Sequence, residues 1–221
     1  MKPAAIVSAL MVCVSSLNGC GAPQKSYDPT EEGITWIYQN RTGETTKEVT
    51  VTNLAPMKVN RAKVIPRVQN EDGRSSLSFL SENENGLWLM AVQGPAMPRP
   101  VALQRPHPLL KYPLKVGTFW MVSAYTNLLK ETVPIDLKYE IDSVDEVVTV
   151  PAGTFRNCIR IKALGQARKT SKALGTAVVK KEYYAWMAPD VGMVKSINSE
   201  AADNPEFGSG TRVSELKRFR K

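Results

Sequence analysis

The sequence predicts an all-β domain, an antiparallel meander curling into a half-open or closed barrel with little helix. Three observations carry this. Short runs of β-branched and aromatic residues recur between Gly, Pro, Asn and Asp clusters. Strict alternation appears in Val49-Thr50-Val51-Thr52, the period of a strand. Past residue 32 no long stretch carries an apolar stripe at helical spacing. About 200 residues follow the N-terminal segment, enough for one domain with a sizeable core over residues 33–221.

In chain order, strands are expected at Thr35 to Asn40, Glu48 to Asn53 and Lys58 to Val68. Leu77 to Leu80 and Leu87 to Gln93 flank Ser81 to Gly86, whose Asn85-Gly86 suits a hairpin turn needing positive φ. Pro95, Pro98, Pro100, Pro106, Pro108 and Pro113 follow. Because proline donates no ladder hydrogen bond, this stretch is expected to be a stiff, extended crossover covering an open edge or the barrel mouth. Further strands are expected at Thr118 to Tyr125, Ile135 to Val150, Asn157 to Leu164, Thr176 to Met187, Met193 to Glu200 and Thr211 to Phe219, with short turns at most at Thr126 to Thr132 and Ala201 to Glu206.

Several strands are apolar on both faces. Leu87, Leu89 and Ala91 alternate with Trp88, Met90 and Val92, and Phe119 to Val122 and Tyr183 to Met187 behave alike. A sheet with one wet face has no need of this, so the second face packs under a lid or lines an apolar cavity. Trp88, Met90, Trp120, Tyr184 and Trp186 are the candidate lining; as plain core residues they would need no ligand.

Charge is uneven. The chain carries a formal net +8, and the window Val147 to Lys181 holds eight Lys and Arg with no acid. Gly165 to Thr176 reads as a long hairpin loop whose Arg168, Lys169 and Lys172 form a candidate basic patch for anionic lipid, cell-wall polymer or an acidic envelope protein. The alternative is a solvated face without a partner.

Catalytic chemistry has little to build on. His107 is the one histidine, so a histidine-rich metal site is excluded. Cys158 lies between Arg156 and Arg160, which would lower its thiol pKa if both faced it. Glu140, Asp142, Asp145 and Glu146 cluster near one strand, as a carboxylate site or as ordinary strand-end charge. No phosphate-binding or dinucleotide loop and no nucleophile elbow is present. The expectation is a protein without enzymatic activity, cofactor or metal.

The chain opens with Lys2, then an uncharged stretch from Pro3 to Leu17, too short for a permanent span and laid out as a secretory signal. It ends in Leu17-Asn18-Gly19-Cys20, which resembles the lipobox of bacterial lipoproteins, with Cys20 as lipid acceptor. This implies a signal peptide over 1–19 and a lipidated cysteine with a flexible polar tether over 20–32. Gly21, where aspartate would resemble an inner-membrane retention signal, favours the outer membrane facing the periplasm by analogy. The competing reading is a plain signal peptide with a Cys20 to Cys158 bridge. Export disfavours nucleic acid as a partner.

Val150-Pro151-Ala152-Gly153-Thr154-Phe155 with Cys158, then Tyr183 to Lys195 (YYAWMAPDVGMVK), resembles a recurrent signature of uncharacterised bacterial envelope lipoproteins, and Tyr112 to Trp120 fits its upstream part. The resemblance implies a fold and an address rather than an activity. At fold level the architecture is similar to the curved sheets of lipoprotein-sorting carriers. The expected function is binding of an apolar ligand or a role in envelope assembly, with docking through the 165–176 hairpin as the alternative and a carboxylate or Cys158 enzyme as the remote one.

Overall fold

The computed structural model describes residues 26–59 and 61–221. The expected signal segment and Cys20 lie outside them. Thirteen antiparallel strands form one sheet: β1 (Thr35–Thr42), β2 (Thr45–Asn53), β3 (Met57–Val59), β4 (Ala62–Glu71), β5 (Arg74–Asn83), β6 (Gly86–Gln93), β7 (Val101–Lys111), β8 (Phe119–Tyr125), β9 (Pro134–Val150), β10 (Gly153–Ser171), β11 (Gly175–Ala188), β12 (Gly192–Ala202) and β13 (Ser209–Arg220). A 3-10 turn at Pro205–Phe207 is the one helical element among the described residues. No described helix is long and apolar enough to cross a membrane.

The order β7-β6-β5-β4-β2-β1-β13-β12-β11-β10-β9-β8 joins two meanders where β1 pairs with β13, and β3 folds back on β4. The edge strands β7 and β8 are successive in the chain, so the sheet wraps into an almost closed barrel with one unsealed seam between them. This is the all-β barrel the alternation predicts.

Three local readings are corrected. Lys58 to Val68 is two strands, because Arg61 at φ 68° turns the chain between them. The proline-rich crossover contains a strand, β7, tolerated because it lies at an edge. Its ladder jumps from Leu89↔His107 to Ala91↔Ala102, so Leu103 to Pro106 bulge opposite Met90 and Pro106 owes no bond. The basic loop Gly165 to Thr176 is mostly strand: pairing runs to Ser171↔Gly175 and leaves a turn at Lys172 to Leu174. Packing explains it, since Ala167, Ala177 and Val179 close over Val133 and Phe207 at this end of the barrel.

Residues 26–32, read as part of the tether, dock on the barrel. Tyr27 donates its hydroxyl to the Asn157 carbonyl at 2.9 Å, Asp190 N–H donates to the Ser26 carbonyl at 2.6 Å, and Asp28 pairs with Arg67 at 2.7 Å.

The β5–β6 turn has a tight constraint. Gly86 sits at φ 140°, and a Cβ there would lie 2.0 Å from the Leu110 carbonyl oxygen of β7. Gly86→Ala therefore strains the backbone and pushes β7 outward. We expect about 1–3 kcal/mol of destabilisation, read as a lower urea midpoint at unchanged m-value.

Candidate functional site

The barrel encloses a cavity of about 320 Å³, lined by side chains from both meanders and mainly apolar. Trp36, Val51, Val122, Ile161, Ala185, Met187 and Met193 supply most of its wall, and Leu109 and Pro108 of the edge strand close one side. A second chamber of about 310 Å³ shares Gln69, Tyr139 and Tyr183 with the first, but its remaining wall is largely polar: Asn40, Asn127, Lys181, Ser196, Asn198, Arg212 and Ser214, beside Ala124 and Leu137.

This gradient follows from period-two alternation on four adjacent strands. Reading the lumen-facing positions along β1 gives Trp36, Tyr38, Asn40 and Thr42; along β13, Leu216, Ser214 and Arg212; along β12, Val194, Ser196, Asn198 and Glu200; along β11, Met187, Ala185, Tyr183 and Lys181. The register stacks these into rows, with Asn40↔Ser214, Ser214↔Ser196 and Ser196↔Ala185 in one, and Thr42↔Arg212, Arg212↔Asn198 and Asn198↔Tyr183 in the next. The lumen is therefore apolar at one end and polar at the other.

Hydrogen bonds hold each end. At the apolar end Trp36 Nε1 donates to the Val191 carbonyl at 2.6 Å and Tyr38 Oη to the Met193 carbonyl at 2.9 Å. Burial pushes the hydroxyl pKa values of Tyr38, Tyr139 and Tyr183 upward, so all three face the lumen as neutral phenols. At the polar end Lys181 Nζ pairs with Glu200 Oε1 at 2.8 Å, and Glu200 Oε2 accepts from the Asn127 and Leu128 N–H groups at 2.9 and 2.7 Å. Asn198 Oδ1 is buried with no donor among the described residues. Such an acceptor costs about 1–3 kcal/mol if left dry, so this half suits water or a polar ligand group.

Arg67 anchors the wall between sheet and N-terminal segment. Its guanidinium donates to Asn53 Oδ1 at 2.8 Å, Asp28 Oδ1 at 2.7 Å and the Pro29 carbonyl at 3.0 Å, and lies 4.8 Å from the Trp36 ring centroid. Asn53, itself buried, donates to the Pro29 and Glu31 carbonyls at 3.0 and 3.1 Å. Arg67→Ala should release residues 26–32, seen as faster amide exchange there and a fall in stability of about 2–4 kcal/mol. Unchanged exchange across 26–32 would contradict this.

None of the five residues expected to line a cavity borders either of these chambers. Tyr184 and Trp186 alternate with the lumen-facing Tyr183, Ala185 and Met187 and so lie on the outer face, where Trp186 Nε1 donates to Glu146 Oε2 at 2.6 Å. Trp88 donates Nε1 to Asn83 Oδ1 at 3.2 Å, and Met90 packs on the Val64, Phe79 and Ala91 cluster. Trp120 lies on the inner face with Val122 and its cross-strand partner Tyr139, on which it stacks with centroids 5.5 Å apart, and is packed into the apolar core beside Ile161, Ala185 and Met187 without bordering the chamber. The expected basic patch is divided by the same alternation. Arg168 is exposed on the outer face, Lys169 is half-buried on the inner face and Lys172 sits exposed in the turn.

Cys158 is fully buried, and its thiol pKa is pushed up to about 11 by burial and by the nearby Glu146. Arg160 does not lower it, because its guanidinium is taken by Asp142 at 2.8 Å and Glu146 at 2.9 Å. Two of the clustered carboxylates thus share one arginine, while Glu140 pairs with Lys138 at 3.0 Å. His107 lies half-buried on β7, and no group of His, Cys, Asp and Glu able to hold a metal occurs among the described residues.

Fold and site together define an almost closed antiparallel barrel with an amphipathic lumen. Residues 115–205, running from the approach to β8 into the 3-10 turn, match the DUF3108-like family model. Two solved structures are similar: a candidate lipoprotein from Parabacteroides distasonis (14% identity, 89% of this chain and 99% of that one, TM-score 0.44) and a candidate exported protein with YmcC-like fold from Bacteroides fragilis (15% identity, 90% and 100%, TM-score 0.45). No curated protein matches the sequence.

Proposed function

We propose that this protein is a non-enzymatic, lipid-anchored protein of the bacterial envelope that holds an apolar or amphipathic ligand inside its barrel. The observation that carries the reading is the mainly apolar chamber of about 320 Å³ between the two meanders. Ligand sites are typically concave, largely apolar and about 300–1,000 Å³, with a few polar groups fixing orientation. The size suits a single aliphatic chain better than a bulky lipid. The protonated state of Cys158 near neutral pH and the ion-paired carboxylates favour binding over catalysis. The address rests on the Leu17 to Cys20 segment, and a lipid on Cys20 would hold the barrel at the outer-membrane surface.

Native mass spectrometry of the full chain, extracted from membranes in mild detergent and released from the micelle, tests both parts. The expected spectrum shows covalent lipid mass lost in Cys20→Ser, together with a non-covalent adduct removed by collisional activation. A spectrum without adduct, from protein that also fails to take up added dodecanol, would overturn the binding reading.

A further inference from the structure

Among the described residues, one charged side chain lining the two chambers has no partner of opposite charge, and it lies at the polar end. Arg67 is neutralised by Asp28, Lys181 by Glu200, and Lys47 at the mouth by Asp72 and Glu71. Arg212 of β13 lines the polar chamber and has no carboxylate partner among the described residues. The one hydrogen bond of its guanidinium among them runs from Nε to Thr42 Oγ1 at 3.3 Å, which leaves the two terminal NH₂ groups without a protein acceptor and open to solvent or a ligand. Arginine remains protonated under all ordinary conditions, and its planar fork suits carboxylate or phosphate oxygens. Arg212 also borders a recess of about 250 Å³ with Asn40, Thr42, Thr45, Lys47 and Glu71, so the charge stands between the lumen and its polar mouth. The apolar chamber lies beyond Gln69, Tyr139 and Tyr183, which both chambers share.

We propose that Arg212 receives the anionic head of a single-chain amphiphile whose tail occupies the apolar chamber. This rests on the lumen being a binding site and adds the chemical class of its ligand. The tail contributes affinity by burial, and the head sets direction, since the reversed pose would set an anion among Trp36, Met187 and Met193, beside an Arg67 already neutralised by Asp28, and leave Arg212 without one. A neutral alcohol of equal length gains the burial without the charge.

The test compares binding of dodecanoate, dodecyl phosphate and dodecanol to the full-length, membrane-extracted protein by native mass spectrometry after delipidation. Wild type should bind at least one of the anions about tenfold more tightly than dodecanol, the equivalent of one charge-assisted contact. The stronger anion identifies a carboxylate or a phosphate head. Arg212→Gln should erase the preference while leaving dodecanol binding intact, which also shows that the variant is folded, and Arg212→Lys should restore part of it. Equal affinity of wild type for all three, or an anion preference surviving in Arg212→Gln, would overturn the head-group assignment alone. Failure of all three to bind wild type would overturn it together with the lumen reading.

Discussion

Glu200→Gln lowers the melting temperature by about 10 °C and flattens the acid side of the stability profile. Both effects come from one buried pair. Glu200 is almost fully buried, meets Lys181 Nζ at 2.8 Å and caps two backbone N–H groups of the β8–β9 connection. Lys181 also donates to the Tyr125 carbonyl at 2.9 Å, so the pair ties that connection to β11 and β12. Removing one partner strands the other charge where it has little contact with solvent, which costs about 3–5 kcal/mol. For a domain of this size each kcal/mol moves the melting temperature by about 2–4 °C. The pH dependence has a definite sign. Burial alone would raise the Glu200 pKa; the Lys181 ammonium and the two N–H donors outweigh it and hold the carboxyl below its ordinary value of 4.5. A carboxyl depressed on folding contributes stability above its unfolded pKa, and that contribution is lost as pH falls through the folded value. Wild type should therefore lose stability below about pH 4.5 more steeply than Glu200→Gln. Urea midpoints at a series of pH values check this, and parallel acid limbs would refute the role of the pair. Replacing both partners, as in Lys181→Met with Glu200→Leu, should recover much of the loss, because no charge is then left unpaired.

Much of the barrel was legible because its strands announce themselves locally. Alternation at Val49 to Thr52 and the Asn85-Gly86 turn each mark a strand from a few residues. The misread segments depend on distant partners. Nothing within Val101 to Lys111 says that β6 will offer it a ladder with room for a bulge, and nothing within Gly165 to Thr176 says that Phe207 will arrive to bury Ala167 and Ala177. The site was harder still. A cavity behind strands apolar on both faces was the right kind of inference, but choosing its lining by side-chain size selected the wrong face of β11. Near the lumen the wall of β11 uses Ala185, and the bulk of Tyr184 and Trp186 stands outside. The more informative signal was polarity along alternate positions: Trp36, Tyr38, Asn40, Thr42 on one strand and Val194, Ser196, Asn198, Glu200 on another. An outward face has no reason to grade in this way on several strands at once.

Two substitutions one residue apart put that face assignment to its sharpest test. Ala185 is buried on the cavity wall, its row continuing to Ile161 on one side and Ser196 on the other. Ala185→Phe places a ring in the apolar chamber of about 320 Å³ and excludes part of any chain bound there. Losing the burial of about four methylenes, at about 0.8 kcal/mol each, weakens a dodecyl ligand on the order of a hundredfold. The added ring fills empty volume, so the fold should lose little, within the cost of about 1–3 kcal/mol typical of overpacking. Trp186→Ala should do the reverse. It removes the indole that donates to Glu146 and stacks near Tyr184 on the outer face, so stability falls by about 1–3 kcal/mol while dodecanol affinity stays within a factor of about two. Dodecanol titrations and urea unfolding on the same two variants separate the effects. If Trp186→Ala cost the affinity and Ala185→Phe did not, the ligand would sit outside the barrel, and the amphipathic lumen would be a structural consequence of closing this sheet.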